Sequence, residues 1–241
     1  MNLTKTKCII IPFLFLFCSV LQSQSFDGAW ETVLQNEAGV DTHYVTIFSY
    51  GFVSEAFFDK ETGKFGGTWG GSFNTNNATF NHTYEFATFD PSLVGTSEST
   101  EFEFIDGQLH MADKVWTRID DGGPGELNGA WLISGRKRGG EMRQMDTSRP
   151  RKTMKILSGT RFQWIAYNTE TKEFMGTGGG TYTTKNGKYT ELIGFFSRDD
   201  SRVGASLEFD YEIKDGDWHH SGLSSKGMPI YEIWSKRTLS E

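Results

Sequence analysis

Cysteine is nearly absent from this chain. The 241 residues contain two, Cys8 and Cys18, and both fall in an N-terminal stretch that reads as a leader. The remainder has no disulfide, no thiol nucleophile and no cysteine metal site. Proline is also scarce, five residues against 28 glycines, which favours tight turns over proline-rich disorder. No window of useful length carries the 3.6-residue helical period, and no apolar run after residue 25 is long enough to span a bilayer. Familiar catalytic signatures are missing as well. There is no Gly-x-Ser-x-Gly elbow, no His-x-His or His-Glu-x-x-His, and the glycine runs lack the Lys-Ser/Thr ending of a phosphate loop. Neither a metal nor a cofactor is expected.

What is present begins with the leader. Lys5 and Lys7 precede an apolar run from Cys8 to Leu21, and the small or polar residues Gln22 to Ser25 follow. This is the layout of a secretory signal peptide over residues 1–25. Bulky Phe17 before Cys18 argues against lipoprotein processing. The expected mature chain is soluble, without a transmembrane segment, and exported to the periplasm or beyond.

Charge then divides the chain. Residues 26–121 carry four Lys and Arg against sixteen Asp and Glu, whereas residues 122–241 carry eighteen against fifteen. The formal net charge of −7 thus conceals an acidic half and a mildly basic one. An exported, acidic protein is a poor candidate for nucleic-acid binding, but a local anion site in the second half stays open.

The halves are copies. Phe26-Asp27-Gly28-Ala29-Trp30 returns as Leu127-Asn128-Gly129-Ala130-Trp131, and from there the register settles at 109 residues. Phe65-Gly66-Gly67-Thr68-Trp69 lies over Phe174-Met175-Gly176-Thr177-Gly178. Asp106-Gly107 lies over Asp215-Gly216, and the copies close with Val115-Trp116-Thr117-Arg118 and Ile233-Trp234-Ser235-Lys236. Two tandem units are expected, 26–121 and 126–241. Each reads as β: apolar residues alternate at Phe80, His82, Tyr84, Phe86 and at Leu207, Phe209, Tyr211, Ile213, with turn signals every 8–12 residues or so. The fold class is all-β, and glycine-dense strands favour two small closed antiparallel barrels.

Gly-x-Trp on the first strand, with a cation two residues after a Trp on the last, resembles the lipocalin and fatty-acid-binding superfamily. The resemblance implies a basic side chain over the first-strand Trp: Arg118 over Trp30, and Lys236 or Arg237 over Trp131. In the second unit, Gly178-Gly179-Gly180-Thr181-Tyr182, Tyr189-Thr190-Glu191 and Trp218-His219-His220-Ser221-Gly222 resemble small secreted lipocalin-like proteins of polysaccharide-degrading Bacteroidetes. That setting implies a link to oligosaccharide dehydratases of the ulvan-degrading type, with an anionic oligosaccharide as partner.

The residues offer parts for such chemistry. Between Arg136 and Lys155 stand eight cations, including Arg138 and Arg143, with no counterpart in the first unit. Arginine forks suit carboxylate and sulfate; the alternative is a solvated loop whose cations pair with the acidic first unit. Arg161 and the ring of Trp164 join the substrate-binding candidates. Alternation places Glu191 on the apolar, inward face, where burial raises its pKa unless a cation meets it. Consecutive strand residues face opposite ways, so one of His219 and His220 points inward. With Tyr189 and Tyr211 these form the acid–base candidates for eliminating water from a terminal uronate. The alternative is a non-catalytic binding protein for an oligosaccharide or a small amphipathic ligand.

Overall fold

The computed structural model describes residues 25–123, 125–224 and 227–239; the leader falls outside them. Eight strands, β1 (Gly28–Gln35), β2 (Asp41–Ser49), β3 (Phe52–Asp59), β4 (Phe65–Asn76), β5 (Thr79–Ala87), β6 (Ser97–Ile105), β7 (Gln108–Met111) and β8 (Lys114–Asp120), pair antiparallel in sequence order and close into a barrel. The second unit comprises β9 (Gly129–Arg138), β10 (Glu141–Gln144), β11 (Arg151–Leu157), β12 (Arg161–Asn168), β13 (Phe174–Lys185), β14 (Lys188–Phe196), β15 (Ser206–Lys214), β16 (Asp217–Leu223) and β17 (Pro229–Lys236). Here β9 pairs with β11 and β17 to close a second eight-stranded barrel, and β10 hairpins onto the far end of β9.

The repeat is kept strand by strand. β3, β4, β5 and β6 start and stop 109 residues before β12, β13, β14 and β15. Only the last and first hairpins differ: Trp116 and Trp234 are 118 apart, and at the first hairpin Gly28 and Gly129 are 101 apart. The additional residues build the β9–β10 hairpin and its return to β11, where the cations cluster.

One end of each barrel is plugged as the resemblance implied. Trp30 is fully buried, its indole N–H donates to the Phe26 carbonyl at 2.8 Å, and the Arg118 guanidinium lies 4.1 Å from its ring centre. In the second barrel Trp131 donates to the Leu127 carbonyl at 2.9 Å under Lys236, whose Nζ is 5.7 Å from the ring. Arg237 goes elsewhere. It stacks on Phe52 and pairs with Glu85, both in the first barrel.

The two barrels pack against each other about an approximate two-fold relation. Ser54 donates to its own repeat-mate Gln163 at 2.6 Å, and Phe65 stacks on its mate Phe174 at 6.2 Å. Phe86 meets Tyr167, while the mates of those two, Phe195 and Phe58, meet each other, both at 4.9 Å between ring centres. Such reciprocity is the signature of an isologous interface, achieved here within one chain. Asp120 fastens the junction by accepting from Ser158 Oγ, Gly159 N and both donors of Thr160.

Candidate functional site at the mouth of the second barrel

β9 runs inward from the plugged end, so residues late in β9 and early in β11, β15 and β17 ring the opposite mouth. Strand parity alone would turn Arg136 away from the interior, since Trp131 and Ile133 point in. A bulge changes this. Between Trp234 and Ile233 the partner strand advances one residue while β9 advances two, from Ile133 to Gly135. The additional residue, Ser134, faces out and holds the Ile233 carbonyl and Ser235 Oγ. Beyond it the alternation is reversed. Arg136 then shares the inner face with Glu232, opposite which it is registered, and Arg136 Nη2 meets Glu232 Oε1 at 2.8 Å. Arg143 pairs across the hairpin with Arg136, and Arg138 follows two residues on, so all three continue the barrel's inner face into solvent. The Gly139–Gly140 turn allows this tight hairpin because both residues have positive φ, 58° and 88°.

The remaining cluster cations divide. Arg149 pairs with Asp146 at 3.6 Å, and Lys152 donates to the Thr147 and Arg149 carbonyls. Lys137, Arg138, Arg143 and Arg151 have no ion-pair partner among the described residues. No ion pair there joins the cluster to the acidic first barrel.

Lys155 does not belong to the rim at all. It is 5% exposed inside the barrel, with Nζ 2.7 Å from Glu191 Oε1. The rings of Tyr189, Trp218, Trp234 and Phe209 surround the ammonium at 4.9, 5.0, 5.4 and 5.9 Å. Glu191 faces inward as alternation required, and the cation it needs is supplied by β11. The first barrel has Thr46 and His82 at these two positions, and instead buries Glu55.

His220 lies in the same interior, 2% exposed, with its ring 4.2 Å from that of Phe209. Burial, reinforced by Lys155, lowers its pKa against the pull of Glu232 and Glu191. Nδ1 stands 3.5 Å from Glu232 Oε2, close for charge but long for a hydrogen bond. Among the described residues neither ring nitrogen of His220 has a hydrogen-bond partner, nor do Tyr189 Oη and the indole nitrogens of Trp218 and Trp234. Burial, with Glu191 next, pushes the Tyr189 phenol well above its ordinary value.

Glu232 connects the mouth to this interior. Burial opposes its ionisation, but His220, Lys155 and Arg136 together outweigh burial and hold its pKa near 2 instead of the usual 4.5. A carboxylate depressed in this way adds stability that is full above its unfolded pKa and is lost as pH falls through the folded one. The shift corresponds to roughly 3 kcal/mol. Comparing acid-induced unfolding of the wild type with that of Glu232→Gln should therefore show a gap that narrows steadily from about pH 5 to about pH 2. A constant gap would mean that the carboxylate's charge is not what the interior uses.

Three other candidates sit apart. His219 points outward and shares a 2.8 Å hydrogen bond with the Tyr231 hydroxyl. Tyr211 donates to Glu126 beside the plugged end, at 2.7 Å. Arg161 begins β12 at that same end and lines a cleft between the barrels. Trp164 does turn into the second barrel, half-buried against Phe196 with ring centres 5.6 Å apart. With Met145, Leu207 and Ile230 these two rings pack on top of the filled interior and form an apolar collar beneath the arginines. Glu232 escaped the sequence reading, although its phase with Ile230 and Trp234 carried the signal. Among the described residues no three His, Cys, Asp or Glu side chains are grouped for a metal, and no helix is long and apolar enough to cross a membrane.

No family model and no curated protein matches the chain. Among solved structures, a lipocalin-like protein from Bacteroides uniformis aligns with 47% of this chain and 100% of its own length, at 14% identity and a TM-score of 0.33.

Proposed function

We propose that the protein is an exported binding protein for acidic oligosaccharides, which it captures at the mouth of the second barrel. The observation that carries this reading is the bulge at Ser134, which places Arg136, Arg138 and Arg143 together on the inward face above an aromatic collar. Guanidinium forks match the paired oxygens of uronate carboxylates and sulfate esters, and the half-buried Trp164 ring offers a flat apolar face to a sugar. The leader read in residues 1–25 fits a protein that meets such saccharides outside the cytoplasm. Burial favours capture over turnover. Glu191 and Tyr189 lie beneath the collar at 4% and 0% exposure, with Glu191 already engaged by Lys155.

Dehydration of a terminal uronate is the second reading, favoured by one observation. A buried imidazole, His220, stands behind Glu232, which Arg136 grips at the mouth. In that reaction the base removes the C5 proton, the C–H electrons form the C4–C5 double bond, and the C4 hydroxyl leaves as water with a proton from an acid. Arginine would stabilise the enolate-like carboxylate meanwhile. Calorimetric titration with saturated uronate-terminated oligosaccharides, sulfated and unsulfated, should give saturable binding. Following ultraviolet absorbance in the same mixtures separates the readings. A flat trace with binding supports capture, a rising one supports the dehydratase, and no binding with no absorbance rejects both.

A further inference from the structure

The approximate two-fold between the barrels makes two equivalent niches at their interface, and they are filled differently. In one, Arg237 lies over Phe52 and pairs with Glu85, whose carboxylate also accepts from Tyr167. Met154, Ile156 and Ile165 close that niche into continuous core. The other niche is built from the repeat-mates of these residues. Val45 and Ile47 stand for Met154 and Ile156, Ala56 for Ile165, and Phe58 for Tyr167. Smaller side chains leave a cleft of about 350 Å³.

The charged positions differ in an informative way. The mate of Glu85 is Gly194; each is the residue inserted at the bulge where its strand meets β4 or β13. The open niche therefore has no carboxylate where the closed one has Glu85. It does have a guanidinium, because the mate of Phe52 is Arg161, which lines the cleft. Arg161 donates to Thr160 Oγ1 at 3.0 Å and has no carboxylate partner among the described residues. The other charged side chains lining the cleft are His43, which faces Glu31 at 2.9 Å, Lys60, 4.0 Å from Asp41, and exposed Glu61.

We propose that this cleft is a binding site for a small amphipathic carboxylate, whose acid group takes the place that Glu85 occupies in the twin niche. Its apolar body would lie on Val45, Ile47, Ala56, Phe58 and Phe195, a lining suited to a short acyl chain or an aromatic ring. The site is independent of the saccharide mouth and survives if that reading fails.

The twin niche supplies its own test. Gly194 has no positive φ, and a Cβ there would meet nothing nearer than the Gly180 Cα at 3.4 Å. Gly194→Glu can thus be accommodated, and it restores the internal carboxylate opposite Arg161. Titration of the intact protein with octanoate, and with octanol as the neutral control, should show octanoate binding at least about tenfold tighter, as loss of one charge-assisted pair requires. Arg161→Gln should remove that preference, and Gly194→Glu should abolish octanoate binding without lowering the thermal unfolding temperature. Equal affinity for acid and alcohol, no binding of either, or binding indifferent to both substitutions would overturn the proposal.

Discussion

Replacing Lys155 by methionine should lower the unfolding free energy by about 3–5 kcal/mol, the usual cost of stranding one member of a buried ion pair. Few single substitutions in this chain should cost as much. Lys155 and Glu191 are 5% and 4% exposed and their charged atoms are 2.7 Å apart. Without the ammonium, Glu191 must either remain charged in an aromatic interior or take up a proton. The four rings around Lys155 also lose a desolvated cation, each such contact being worth about 0.5–2 kcal/mol. Urea denaturation measures the loss. The companion experiment is Lys155→Met with Glu191→Leu. Burying both charges is expensive to begin with, so the apolar pair should recover most of the stability. The first barrel already manages with Thr46 and His82 at these positions. A single-variant loss below about 1 kcal/mol, the size of an exposed pair, would show that the interior admits water freely.

The second large effect concerns binding. Arg138→Glu combined with Arg143→Glu should weaken the affinity for uronate-terminated or sulfated oligosaccharides by about a hundredfold or more. Two charge-assisted hydrogen bonds at roughly 1.5 kcal/mol each account for that factor. Arg136 is best left intact. It neutralises the buried Glu232, so reversing its charge would confound lost binding with lost stability. Arg138 and Arg143 are exposed and without ion-pair partners among the described residues, and unfolding of the double variant should stay within about 0.5 kcal/mol of wild type. Wild-type affinity should also fall with added salt, as screening of exposed charges demands. Unchanged affinity in a stably folded double variant would reduce the arginine face to a solvated hairpin.

Much of this molecule could be read from periodicity. Alternation at Phe80–Phe86 and Leu207–Ile213 gave strands, and the 109-residue register gave a duplicated unit. The glycine-rich strands gave barrel closure. The inward turn of Glu191 and the opposition of His219 to His220 also followed, because a strand has only two faces. Where alternation was interrupted, the reading failed. Arg136 looked like one loop cation among eight, and only the bulge at Ser134 reveals that it faces inward to Glu232. Lys155 looked like another, though it sits between Met154 and Ile156, which are themselves buried against the first barrel. A strand buried on both faces leaves no polar phase from which to judge a lysine.

The sequence by itself determined what depends on near neighbours along the chain: strand, turn, repeat, and which face a side chain takes in an unbroken strand. Tertiary structure alone decided what depends on residues far apart in sequence. It matched Lys155 to Glu191 across the barrel, tied Arg136 to Glu232, and carried Arg161 away from the mouth to the interface between barrels. It also set Gly194 against Glu85 as unequal halves of one niche. A one-residue bulge or the docking angle of two barrels is fixed by packing and pairing summed over many distant contacts, and no local pattern records that sum.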